Sequence, residues 1–166
     1  MAQECSVFGV FPDRDKAVDA VRKLESNQFT EREVSLVAKD SNGSGGTGHQ
    51  DSVQDGTAWG AGIGATAGLL AGLGALAIPG IGPIVAAGPI AAALTGAGAG
   101  GLAGGLMDYG IPASTGHRLE ADVKRGEAVV LVRCNEGRAK DAERELRSCG
   151  AHDVEVHGMN DQGQHR

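Results

Sequence analysis

Three cysteines (Cys5, Cys134 and Cys149) and five histidines (His49, His117, His152, His157 and His165) are the side chains on which metal or redox chemistry could be built. Their spacing argues against a metal centre: there is no CxxC and no HExxH, and two thiols without a carboxylate or imidazole set make a poor zinc site. Cys5 opens one apolar run and Cys134 closes another, so the two thiols come together if those runs pair as antiparallel strands. Ordinary strand-end cysteines are the expectation for both. Cys149 falls at a helix end, and the grouping of His152, Asp153 and His157 near the last strand is only a weak metal motif.

Other chemistry has less support. Gly43-Ser-Gly-Gly-Thr-Gly48 has the GxGxxG spacing and follows a strand. No amphipathic helix opens after it and no lysine follows, so it reads as linker rather than as a phosphate cradle. Gly96 to Gly101 matches the same spacing and belongs to a glycine-rich repeat. No serine has the G-x-S-x-G context of a nucleophile. We therefore expect no enzyme, no cofactor and no metal.

The elements that hold these groups read as three blocks. Residues 1–39 and 110–157 carry nearly all the charge. Residues 40–55 read as a flexible linker, since Ser-Asn-Gly-Ser-Gly-Gly-Thr-Gly cannot bury enough apolar area to offset chain entropy, and 158–166 as a polar tail. Gly56 to Met107 has no Asp, Glu, Lys, Arg or His over 52 residues, of which 16 are Gly and 15 are Ala.

In the first flank, Cys5 to Phe11 is rich in β-formers, and Asp13 then caps a helix bearing Ala17, Val18, Val21 and Leu24. Glu33 to Ala38 alternates as a half-buried strand does. The second flank repeats this order. Glu127 to Cys134 is a strand, Asn135 caps a helix with Ala139, Ala142 and Leu146, Gly150 ends it, and Val154 to Val156 is a strand. A further helix is expected over 112–125, with Pro112 near its first turn and Leu119 and Val123 spaced by four. Two βαβ units point to an α+β, ferredoxin-like domain, split between its second and third strands by a long Gly/Ala-rich helical hairpin.

Strand patterning adds a condition. Val7 and Phe11 face one way and Phe8 and Val10 the other, while Val129 to Val132 are apolar on both faces. Runs of that kind are covered on both sides, and two helices cover one. A second subunit, placed first, the inserted block or a ligand must cover the other.

Within the block, Gly60, Gly64, Gly68 and Gly72 recur every fourth residue, as do Gly88, Ala92, Gly96, Gly100 and Gly104. Such stripes let helix backbones approach closely. Pro79, Gly80, Gly82 and Pro83 mark the turn between two expected helices, Ala58 to Ala77 and Ile84 to Met107, each about as long as the ~20 residues that cross a hydrocarbon core. Trp59 and Tyr109 stand at the outer ends, where interfacial aromatics are expected. The hairpin is thus expected to enter or touch a membrane, or else to pack in a homo-oligomer. The formal charge of −6 leaves nucleic acid a poor partner. The Met1-Ala2-Gln3-Glu4 start has no secretory leader and the cysteine count is odd, so a cytoplasmic location is expected, membrane-associated if the hairpin inserts, with both termini on the cytoplasmic side.

Ser6-Val-Phe-Gly-Val-Phe11, Ala77-Ile-Pro-Gly-Ile-Gly-Pro-Ile84, Ala87-Gly-Pro-Ile90, Gly110-Ile-Pro112, Val123-Lys-Arg-Gly-Glu-Ala-Val-Val130 and Gly150-Ala151 together resemble the bacterial general stress protein 17M family, with its heat-induced YflT-like domain. The chain departs from it after Gly-Ile-Pro, where Ala113-Ser-Thr-Gly-His117 replaces an acidic, Tyr-containing helix. The resemblance implies a stress-induced bacterial protein with no catalytic residues to carry over. We expect self-association or membrane attachment through the glycine zipper. The alternative is a ligand-sensing regulator of ferredoxin-like fold forming a soluble homo-oligomer.

Overall fold

A computed structural model describes residues 3–39, 74–78, 81–96 and 101–158. The chain opens with β1 (Glu4–Phe11), α1 (Arg14–Ser26) and β2 (Val34–Lys39). Asp13 starts α1 by accepting a hydrogen bond from the Lys16 amide at 2.8 Å, which satisfies one of the donors left open at a helix start. β3 (Gly74–Ile78), β4 (Gly82–Ala87), α2 (Pro89–Gly96) and α3 (Gly101–Met107) come next. The chain then runs through α4 (Ala113–Lys124), β5 (Ala128–Asn135), α5 (Glu136–Ser148) and β6 (Asp153–Gly158). Asn135 caps α5 as Asp13 caps α1, accepting from the Arg138 amide at 3.2 Å.

The described residues are therefore α+β. The six strands form one sheet in the order β3-β4-β2-β5-β1-β6, and every neighbouring pair is antiparallel.

Period-two patterning sorts the side chains onto two faces. Val7, Phe11, Val130 and Val132 pack with Leu24 of α1 and Leu146 of α5. Phe8, Val10, Val129 and Leu131 point the other way, into a second core with Ile90 of α2, Leu106 of α3, and Leu119 and Val123 of α4. The covered second face is as the apolar run in β5 requires. Its cover comes from the latter part of the glycine-rich block and the helix after it, not from a second copy, which the patterning placed first. Fully burying a Phe or Leu contributes about 1.5–3 kcal/mol, and Phe8, Leu131 and Leu106 all lie within it at 2% exposure or less. Two buried serines fasten the layer: Ser6 Oγ donates to the Tyr109 carbonyl at 2.6 Å, and Ser35 Oγ accepts from the Ile90 amide at 3.3 Å.

The expected helical hairpin needs correction where it is described. Gly74–Ile78, which takes in the last four residues of the expected first helix, is a strand, and Gly82–Ala87, spanning the turn and the start of the second, is another. Among the described residues of the rest of the second helix, Pro89–Gly96 and Gly101–Met107 form α2 and α3, of eight and seven residues. The physical reason is local. Each helical glycine costs about 1 kcal/mol relative to alanine, Pro83 and Pro89 lack an amide donor, and Ile84 and Val85 are β-branched and favour a pleated surface. Pro83 is tolerated inside the sheet because β4 bonds to β2 only over Ile84–Ala87, leaving Pro83 opposite Ala77 of β3 alone. Residues 58–73, which would form most of the first helix, lie outside the described residues.

Candidate functional site

Glycine stripes are the feature on which the sequence places association. Gly60, Gly64, Gly68, Gly72 and Gly100 lie outside the described residues, as do Trp59, Pro79 and Gly80. Gly88 does not pack helix on helix. It joins β4 to α2 at φ +82°, and a Cβ built on it would fall 2.3 Å from the Val34 carbonyl oxygen. It is thus a chain-reversal glycine, chosen for conformation and for close backbone approach. Gly82 serves conformation alone, at φ +93° with open space around it. Gly96 ends α2, and Gly104 on α3 has nothing within 4 Å of a built Cβ.

Close helix packing does occur, one helix further on. Gly116 of α4 lies against Ala103 of α3, and Gly105 of α3 meets the Leu94 side chain of α2. Sequence reading missed both. The signal was available at Gly116, a glycine in the second turn of an otherwise ordinary amphipathic helix, where its propensity cost asks for a packing reason.

Tyr109 is not interfacial. It is 5% exposed, its ring lies under the Arg133 guanidinium at 5.8 Å, and burial first of all pushes its hydroxyl above the usual tyrosine range. Its place is in the second core, because the chain after α3 must turn back beneath β1 and β5 to begin α4.

The cysteines behave as antiparallel pairing predicts. Cys5 is opposite Cys134 in the β1–β5 ladder, and the two sulfurs are 3.7 Å apart and buried. Burial, with the neighbouring Cys5, pushes the Cys134 thiol up to about 12. Cys5 is raised too, mainly by burial.

The described histidines do not converge. His117 is exposed, while His152 faces Glu127 at 3.7 Å. His157 stacks on Phe8 at 5.7 Å and meets Glu155 at 3.0 Å. Asp153 is engaged by Arg118 of α4 at 3.2 Å, and the same guanidinium bonds Glu155. Among the described residues no group of three or more His, Cys, Asp or Glu could hold a metal ion, and no helix is long and apolar enough to cross a membrane. His49 and His165 lie outside them. The Arg118 link between α4 and β6 was not foreseen, since nothing in the sequence near His117 marks a partner so distant along the chain.

The chain matches no protein-family model, no curated protein and no solved structure.

Proposed function

We propose that this is a non-enzymatic bacterial stress-response protein that acts by association. In this reading a ferredoxin-like domain presents the first half of the glycine-rich block to a second copy of the chain or to a membrane, in the cytoplasm. The βαβ halves of that domain are β1–α1–β2 and β5–α5–β6. The order β2-β5-β1-β6 within the sheet, with α1 and α5 on one face, supports the fold assignment.

One observation carries the functional reading. The second half of the block is part of the domain's own sheet and second core, and β3, its first described strand, is the outer edge of that sheet. The uncharged residues 56–73, with Gly60, Gly64, Gly68 and Gly72 at every fourth position of the sequence, therefore join the domain at an edge that has no strand beyond it among the described residues. A small-residue stripe at that point suits close backbone packing against an identical stripe, and an uncharged segment suits a lipid surface equally.

The test is the mass of the full-length protein in solution and its distribution between membrane and supernatant after cell lysis, for wild type, Gly64→Leu and Gly68→Leu. A wild-type oligomer that both leucine variants reduce to monomer supports the zipper in protein packing. Recovery in membranes after salt and alkaline washes supports the lipid arm. A wild-type monomer confined to the supernatant overturns the proposal.

A further inference from the structure

Cys5 and Cys134 are one residue in from the strand ends at Glu4 and Asn135 and directly opposite each other. Opposition in an antiparallel ladder holds two Cα atoms about 4.5–5.5 Å apart, inside the roughly 4.4–6.8 Å across which a disulfide closes without backbone movement. Both side chains lie on the sheet face covered by α1 and α5. The Cys5 thiol donates to the Cys134 carbonyl at 3.3 Å, and the sulfurs are 3.7 Å apart. The sulfurs must close from 3.7 Å to the roughly 2.05 Å of a disulfide.

We propose that Cys5 and Cys134 are a redox site that closes to an intramolecular cross-strand disulfide at the expense of a hydroperoxide. The Cys5 thiolate attacks the terminal peroxide oxygen; the O–O bond breaks, Cys5 becomes a sulfenic acid, and the departing alkoxide takes a proton to become an alcohol. The Cys134 sulfur, giving up its proton, attacks the Cys5 sulfur; the S–S bond forms, the S–O bond breaks, and the hydroxide leaves as water. Two thiols and one hydroperoxide thus yield one disulfide, one alcohol and one water, and with hydrogen peroxide both small products are water.

Burial sets the tempo. Cys5 and Cys134 are 4% and 5% exposed, and the apolar wall around them disfavours the thiolate. For a hydroperoxide to reach Cys5 this strand end must open, starting from Glu4 and Asn135, which are exposed. Opening that end breaks the bond from the Glu136 amide to the Gln3 carbonyl and the Glu4–Arg133 ion pair. The same shielding retards reduction, so the site keeps a lasting record of peroxide exposure rather than a rapid one. The link joins residues 129 positions apart, a long closed loop and therefore a strong constraint on the unfolded chain. This inference is independent of whether the protein self-associates.

The test is exposure of the folded full-length protein to hydrogen peroxide, followed by denaturation with a thiol alkylator, intact mass measurement and peptide mapping. Expected are the loss of two hydrogens, a linked Cys5–Cys134 peptide, and a Tm increase of roughly 5–10 °C that dithiothreitol reverses. Cys149→Ser should behave as wild type and Cys134→Ser should lose the response. Oxygen additions in place of the lost hydrogens, a link through Cys149, or full alkylation of both thiols after treatment would each overturn the assignment. Because those readouts are taken on wild type, misfolding of Cys134→Ser does not blunt them.

Discussion

Gly116 of α4 lies directly on Ala103 of α3: a Cβ added to Gly116 would stand 3.1 Å from the Ala103 Cα, 3.2 Å from its Cβ and 3.3 Å from its carbonyl oxygen. Two of those atoms are backbone and cannot rotate away, so a larger side chain must separate the helices that cover the second face. Gly116→Leu should cost more than about 2 kcal/mol by urea unfolding. Gly116→Ala should cost about 1 kcal/mol despite alanine's better helix propensity. Gly104→Ala is the contrast, since open space surrounds that position; it should gain up to about 1 kcal/mol. A gain from Gly116→Ala would show that α3 and α4 are further apart than the structure places them.

Gly88 combines two requirements that no other residue meets, φ +82° and a built Cβ only 2.3 Å from the Val34 carbonyl oxygen. Gly88→Ala should therefore destabilise by about 3 kcal/mol or more. The loss should be visible first as faster amide exchange at Ile90, whose N–H is held by the Ser35 hydroxyl. Unaltered exchange there with unaltered stability would contradict the assigned turn.

Residues whose signal is local and chemically distinctive were legible in the sequence. Asp13 and Asn135 each offer a side-chain acceptor ahead of an amphipathic run, and each caps its helix. The parity of Val7 and Phe11 against Phe8 and Val10 needs only the two-residue period of a strand, and the two cores divide along it. Cys5 and Cys134 could be brought together because both lie near the ends of β-rich runs. The glycine-rich block defeated the same reasoning. With 16 Gly and 15 Ala among 52 residues, a spacing of four arises from composition, and it drew Gly88 into a helix stripe when its φ is positive. Ile84 and Val85 carried the opposing strand signal, and Pro83 stood against a helix through it. Tyr109 was misplaced because an aromatic beside an apolar block looks the same whether it borders lipid or turns back into a core.

Glu25 on α1 has both carboxylate oxygens buried without a hydrogen-bond partner among the described residues, and burial, followed by the charge of Glu31, raises its pKa. A carboxyl whose folded pKa is raised contributes most below the ordinary carboxylate range, and that contribution is lost as pH rises through the folded value. Glu25→Gln should therefore stabilise the protein at pH 7 by roughly 0.5 kcal/mol. The advantage should vanish below about pH 4. An advantage of equal size at both pH values would place its origin outside the ionisation of Glu25.

Arg118 gives the opposite sign. Burial alone would raise the Glu155 pKa, but the hydrogen bonds from Arg118 and His157 outweigh it and hold the carboxyl below its usual range. Stability from such a group is present above the unfolded value, about 4.3 for glutamate, and is lost as pH falls through the lower folded value. Since both side chains are partly exposed, Arg118→Gln should cost only about 0.5–1 kcal/mol at pH 7. The cost should be smaller in high salt, and the share of it owed to Glu155 should disappear once Glu155 is protonated in both proteins. Arg118 also holds Asp153 at 3.2 Å, so the variant releases both acidic residues of β6 from α4. Among the described residues β6 is an edge strand bonded to β1 alone. Amide exchange should therefore accelerate in Asp153–Gly158 while the β1–β5 ladder keeps its protection, and equal acceleration in both would mean that Arg118 supports the whole sheet instead of this edge.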